Sequence, residues 1–454
     1  MLQGCNRFEK EFGIYAESVK VSTLDNALRA KVLIKYKRSC TYEIQYWEKS
    51  QGEKEAKYTK PRKVESGEDT QVLRFLNANT DYQFRIITEG KITSATFDFQ
   101  TGSLPPDLPQ YNVQKSDGKT FLKGLLLQWD AAKPGYVTLS DFDGNIVWYQ
   151  AYGKGIRTAW FDNNTGHIAI LMGFQYGEDP NEFYRLAEDI IISDLDGNLV
   201  FEKKASNEFI ANPHHEFKIL PDGNLLILSN FIKNFDLSSL PSGKVNTPIW
   251  GDGFFVCRAD GQIIKKWDCF EELNPLEVSY IDPVKFSNDY VHANSVAVDS
   301  EGNYYMTLNR LSELWKIDGK TGKVIYRVGE NGNVELEGGD YPEGGLHAAF
   351  PLGPDRVLCY DNGKKRGYSR AVLLNINSAL KKAKYEKIIN LPSEWSSANR
   401  SNAQLIQNNI ILMSSTVSAK AVFTSLDGEV IRVISRTGIS YRAYWIDEEI
   451  LKQL

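Results

Sequence analysis

Five histidines lie in the 454 residues, at positions 167, 214, 215, 292 and 347, and most of them share a local setting. His215-Glu216-Phe217 runs through a Pro221-Asp222-Gly223-Asn224 turn to Ser229-Asn230. His347-Ala348-Ala349 runs through Gly353-Pro354-Asp355 to Asp361-Asn362 over the same interval, with no gap. His292-Ala293-Asn294-Ser295-Val296 opens a third copy that reaches Asn309-Arg310, with two extra residues assigned to its turn. An insertion of two keeps strand parity, so the three imidazoles should share a face. Imidazole can act as nucleophile, proton carrier or metal ligand at neutral pH. Arg310 brings a permanent charge in a forked shape matched to oxyanions. Asn294, on the strand face expected for His292, adds a neutral donor. Three histidines could instead hold zinc, with Glu216 as a further ligand. That reading is weakened by Arg310 and by strand alternation, which turns Glu216 away from His215. Alternation also lets at most one of His214 and His215 face a common space, and the alignment favours His215. His167 lies in an apolar run without such company and reads as packing.

Repeats can bring distant residues of this kind together. Asp143-Gly144-Asn145, Asp196-Gly197-Asn198, Asp260-Gly261-Gln262, Thr321-Gly322-Lys323 and Asp427-Gly428-Glu429 are hairpin signals, spaced roughly 50–65 residues apart with one interval doubled. Short strand-like runs fall between them: 167–171, 224–228, 303–308, 356–360 and 409–413. Several short strands per such unit suggest a β-propeller, of about six blades over residues 110–454. Equivalent positions on successive blades lie at equal height around one axis, so the histidines would converge there. Helix signals are confined to 378–385 and 447–454.

Ahead of the repeats, residues 10–103 alternate with period two in Lys31–Tyr36, Thr41–Tyr46 and Tyr82–Ile87. Tyr82 follows Asn79-Thr80-Asp81 as the tyrosine corner of an immunoglobulin or fibronectin-like β-sandwich does. Leu104-Pro105-Pro106-Asp107-Leu108-Pro109 is a stiff linker between the two. The expected fold is all-β: a small sandwich, then a six-bladed propeller.

Apolar residues make up 42% and charged ones 24% of the chain, as in ordinary globular proteins, and the net charge is −5. No basic block interleaved with aromatics suggests a nucleic-acid partner. No apolar run approaches the ~20 residues of a membrane-spanning helix. The five cysteines form no CxxC pair or zinc spacing, and Cys257 and Cys269 are not placed to bridge across their hairpin. Leu2-Gln3-Gly4-Cys5 resembles a bacterial lipobox, which would make Cys5 a lipid anchor and the protein periplasmic or cell-envelope.

The histidine contexts, with Tyr290-Val291-His292-Ala293-Asn294-Ser295-Val296, Asn309-Arg310 before Leu314-Trp315-Lys316-Ile317, Asp361-Asn362-Gly363 and Ser369-Arg370-Ala371-Val372, resemble the bacterial aryl-sulfate sulfotransferase family. The resemblance covers nearly the whole chain and implies a six-bladed propeller behind a small sandwich. It implies transfer of a sulfuryl group from a phenolic sulfate ester to a phenol, without a nucleotide sulfate donor, cofactor or metal. By position His347 matches the transiently sulfated histidine, while His292, Asn294, Arg310 and one of His214 and His215 match residues around the sulfate. Two departures bear on acceptor preference: Leu346 stands where the family usually has glutamine, and Asn309 where it often has serine. Phe174, Tyr176, Trp315 and Trp395 are candidates to line a phenol site, though such residues more often pack propellers. The alternatives are a metal-dependent propeller hydrolase built on the histidines and a propeller that binds a partner without catalysis, and a homo-oligomer is compatible with the sequence.

Overall fold

The computed structural model describes residues 15–23, 26–173, 189–205 and 209–453. Cys5, Phe174 and Tyr176 lie outside them. The protein is all-β, with 51% of residues in strands and 4% in helix. Two compact units are present. One comprises the chain through Leu108, together with residues 138–140 and 145–150; the other comprises the remainder.

In the first unit Ala16–Thr23, Ala30–Tyr36 and Gly67–Leu73 form one antiparallel sheet. Cys40–Glu48 and Asp81–Thr88 lead a second sheet, joined by Arg62–Val64 and Phe97–Gln100 at its margins. Val32, Ile34, Tyr42, Ile44, Tyr82, Phe84 and Ile86 share one buried cluster, which is what period-two alternation produces when one face of each sheet is covered. The Tyr82 hydroxyl accepts the Asn77 backbone N–H at 2.8 Å, tying the strand back to the residues upstream of it.

The second unit is propeller-like. Six sheets involve its described strands; three are meanders of consecutive antiparallel strands, and the other three each add a strand from elsewhere in the chain, Glu335–Leu336 in parallel. Their leading strands are Gly155–Phe161, Pro213–Ile219, Ala293–Val298, Leu346–Gly353, Asn402–Ile406 and Tyr444–Asp447. Each of the first five touches the next in that order. Trp160 and Tyr444, with ring centroids 5.0 Å apart, join the last to the first. The ends are sewn in twice: Tyr444–Asp447 pairs with Gly124–Trp129, and Tyr111–Ser116 pairs with Val430–Arg436. Closure of this kind leaves few free sheet edges.

Most hairpins lie where the turn signals predicted. Gly144, Gly197, Gly261, Gly322 and Gly428 all take the left-handed conformation that such turns require. The helix expected at 378–385 is absent. Lys382–Asn390 is a strand paired with Arg370–Asn377, because Ala383 fills the core while its polar neighbours face outward. The C-terminal helix spans Glu448–Gln453. Cys40, Cys257, Cys269 and Cys359 are buried free thiols.

Candidate active site

The leading strands of the second unit do not run straight. His215, His292 and Ala348 have φ of 54°, 52° and 54°, and Arg400 and Ser401 have 60° and 81°. None is glycine, so each carries strain of order 1–3 kcal/mol, of the kind that gathers at functional sites. Each accompanies a bulge or the start of a leading strand.

These bulges change the register expected from sequence. The backbone N–H groups of Asn230, Asn309 and Asn362 donate to the carbonyls of Asn212, His292 and Gly345. His292 therefore stands on the rung of Gly345, and His347 two residues further along, level with Asn294. The three imidazoles are not equivalent in the ladder; the extra residues are taken up in the bulges rather than in the turn alone. Two of them nevertheless meet. The rings of His215 and His292 are 5.8 Å apart, and Tyr441 lies 5.6 Å from His215.

His347 is 3% exposed. Its Nδ1 lies 2.5 Å from Oδ1 of Asn362. The Asn362 amide nitrogen donates to the carbonyls of Ser397 at 2.7 Å and Arg400 at 3.2 Å, so its oxygen must be the atom facing the ring. Nδ1 accordingly carries the proton and Nε2 the lone pair. Nε2 accepts the Arg400 backbone N–H at 3.1 Å. The Asn309 amide lies 3.3 Å from Nδ1, a looser contact than the Asn362 bond. Burial holds the imidazole well below its ordinary pKa, helped by the positive charge of Arg442 and by His292. The ring is neutral at neutral pH.

His292 has a different setting. Its Nδ1 lies 2.7 Å from Oδ2 of Asp289, and the same oxygen accepts from Arg310 at 2.8 Å. Arg310 also donates to the Asp289 carbonyl and stacks over Phe286 at 3.9 Å. One carboxylate thus orients both the imidazole and the guanidinium.

His214 is fully buried, its Nε2 3.1 Å from Asp252, while His215 is half-buried. Alternation does not separate the two, because the left-handed His215 turns its ring back until the Nδ1 atoms are 2.7 Å apart. Asp252 also accepts from the Ala293 N–H at 2.6 Å and bonds the Asn230 amide. Glu216, weighed as a metal ligand, is instead paired with the buried Arg442 at 2.8 Å. Among the described residues no group of three or more His, Cys, Asp or Glu side chains could hold a metal ion.

Asn294, expected to offer a donor, has both side-chain atoms engaged within the protein. Its amide donates to the Leu346 carbonyl at 2.8 Å and accepts from Thr307 at 2.6 Å. Ser295 accepts the Ala349 N–H at 3.1 Å. Asn294 and Ser295 thus brace the neighbouring strand on both sides of His347. Trp315 is fully buried in the packing core, and Trp395 is half-buried in a short 3₁₀ turn. His167 is half-buried just ahead of its strand.

A family model described as Arylsulfotransferase (ASST) matches residues 110–442, which contain every histidine discussed here. The chain belongs to the arylsulfotransferase family. The match supports arylsulfotransferase activity in general, with small aryl sulfates and phenols as substrates. No curated protein matches the chain. Solved structures with some likeness include a protein of unknown function from Bacteroides caccae, with 14% identity, 71% of this chain and 99% of that chain covered, and a TM-score of 0.46. The WD40 β-propeller domain of Doa1 shows 13% identity over 78% of this chain and 86% of that one, with a TM-score of 0.37. These likenesses are too slight to carry an argument. Sequence reasoning about this arylsulfotransferase missed Asp289, Arg400, Tyr441 and Arg442. Asp289 sits three residues before His292 and was the most readable of them.

Proposed function

We propose that the protein is an aryl-sulfate sulfotransferase working by a ping-pong mechanism through a sulfohistidine at His347. The fold carrying it is a six-bladed propeller after a fibronectin-like sandwich, and the ring of leading strands supports that reading. The observation that carries the chemistry is the neutral, tautomer-fixed imidazole of His347 in a chain of this family.

In the first half-reaction the Nε2 lone pair attacks sulfur and the S–O bond to the aryl group breaks. The departing oxygen keeps the bonding electrons and takes a proton from Nε2 of His292, whose Nδ1 stays on Asp289. The Arg400 N–H that occupies the lone pair must yield its place to sulfur. The adduct ring becomes cationic, and Asn362 accepts from its Nδ1–H throughout. A phenol then replaces the first product. His292 takes its proton, its oxygen attacks sulfur, and the N–S bond breaks to restore neutral His347. Charge spreads over the sulfuryl oxygens in a loose transition state, where positioned donors matter more than nucleophile strength. Arg310 and His215 are the donors assigned to those oxygens. Asn294 and His214 act one step back, bracing the strand of His347 and the ring of His215. No cofactor or metal enters the scheme.

Purified protein with 4-nitrophenyl sulfate and a phenol should release nitrophenolate and form the new sulfate ester. A His347→Ala variant with undiminished turnover would remove the nucleophile from its role. The lipobox reading remains a proposal in the same spirit: Cys5 anchors the protein in the cell envelope, so that transfer occurs outside the cytoplasm. Metabolic labelling with a fatty-acid analogue that leaves Cys5 unmodified would reject it.

A further inference from the structure

Arg442 is fully buried, and its guanidinium joins three of the leading strands. Nη1 donates to Glu216 at 2.8 Å, on the strand of His214 and His215, and to the Tyr444 hydroxyl at 3.0 Å. Nη2 donates to the Asn294 carbonyl at 2.5 Å. The Asn294 side chain in turn holds the carbonyl of Leu346, the residue before His347. Glu216 has a second cation nearby, Lys218 at 3.5 Å, which donates to the Val296 carbonyl and lies over the Trp160 ring at 4.7 Å. The bonds from Arg442 to Glu216 and Asn294 cross 226 and 148 residues of sequence, so they are made only when the ring of strands is closed.

A buried cation with a matched carboxylate gains little stability over apolar residues of the same volume. Stability alone is therefore a poor explanation for placing one here. We propose that Arg442 is a positioning residue for sulfuryl transfer: it locks the strands bearing His215 and Asn294 to its own and sets a fixed positive charge within reach of His347. The inference rests on the sulfohistidine reading above. That charge disfavours a proton on the neutral nucleophile. The groups facing His347 are Arg442, His292 and Lys364 as charged or titratable neighbours, with the Asn362 and Asn309 amides and the Arg400 N–H as neutral ones. Removing Arg442 takes away a positive charge, so the imidazole should bind its proton more readily. Lysine should restore part of the effect as a charge without the fork.

The test compares wild type, Arg442→Lys, Arg442→Gln and the double variant Glu216→Leu with Arg442→Met. Each is assayed for kcat and KM with 4-nitrophenyl sulfate and for His347 titration by NMR of histidine-labelled protein. In the double variant kcat should fall about 10²-fold, the order expected for a small misplacement of reacting groups. KM should change far less, and the His347 titration should move upward. Arg442→Lys should recover part of both. A folded variant lacking Arg442 that keeps wild-type kcat and an unmoved titration overturns the proposal. If Arg442→Gln does not fold, the double variant, which removes Arg442 and Glu216 together and leaves Lys218 on the Val296 carbonyl, decides in its place. If wild type transfers no sulfuryl group, the proposed function fails and the positioning role falls with it; a wild type that transfers beside a folded variant that transfers equally well removes the role of Arg442 alone.

Discussion

His347 and His292 come from neighbouring leading strands, yet the protein gives them opposite surroundings. His347 is sealed from water and held by neutral groups, an amide oxygen on Nδ1 and a backbone N–H on Nε2. The side chain of His292 keeps 28% of its surface exposed, and its Nδ1 is held by a carboxylate that also holds an arginine. Two chemically identical rings are thereby prepared for different work. A ring in neutral, dry company keeps its lone pair; a ring backed by a carboxylate can pass a proton through its other nitrogen. Different environments for similar groups are how one fold supplies both a nucleophile and a proton carrier.

The largest effect expected from this contrast is on His347. On the proposed mechanism, His347→Ala should lower kcat by roughly 10⁴–10⁶-fold, the cost of losing a covalent nucleophile. By mass spectrometry, wild type given donor alone should carry an acid-labile sulfuryl adduct and the variant should not. His292→Ala should cost less, about 10²–10⁴-fold, the usual worth of general acid–base help. Its deficit should shrink with donors whose leaving phenols are more acidic, since these need less protonation. Equal losses for both variants with every donor would erase the distinction between the two rings.

The same contrast can be inverted by one substitution. Asn362→Asp puts a carboxylate where the neutral amide now accepts from Nδ1–H. An adjacent negative charge favours the protonated ring, so the pKa of His347 should rise from its depressed position. In wild type kcat/KM should show no acid-side loss from His347 until well below the ordinary imidazole range. In the variant that loss should move to higher pH. A pH profile of kcat/KM unchanged by the substitution would show that Asn362 does not govern the ring.

How far the sequence announced this arrangement varies by residue. Repeated turns and alternating strands were readable because they depend on local chemistry. The histidines were singled out by repeated context, and the rings of His215 and His292 stand together. Their register was misread because left-handed φ at His215, His292 and Ala348 carries no glycine to mark it. Asn294 was singled out as a donor; one of its two amide N–H groups is spent on the Leu346 carbonyl, a bracing contact that no local pattern announces. Arg442 was out of view for another reason. Its partners lie far away in sequence, and a lone arginine near the end of a chain has no periodicity to betray burial. Trp315 went the expected way for a large aromatic and filled the core.

The smallest effect follows from the seclusion of His347 and concerns stability. In the unfolded chain this histidine titrates near 6.5, whereas in the folded protein burial holds its pKa well below that. Above about pH 6.5 both states leave it neutral, and its contribution to stability is fully present. As pH falls below that value the unfolded state takes up a proton that the folded state refuses, so stability declines until the folded pKa is passed. One such proton contributes a slope of at most about 1.4 kcal/mol per pH unit. His347→Asn removes the titrating group. Urea unfolding between pH 7 and pH 5 should therefore show a weaker pH dependence in that variant than in wild type, even where its absolute stability is lower. Parallel slopes would mean that His347 is free to take up its proton in the folded protein, and the neutral nucleophile would lose its physical basis.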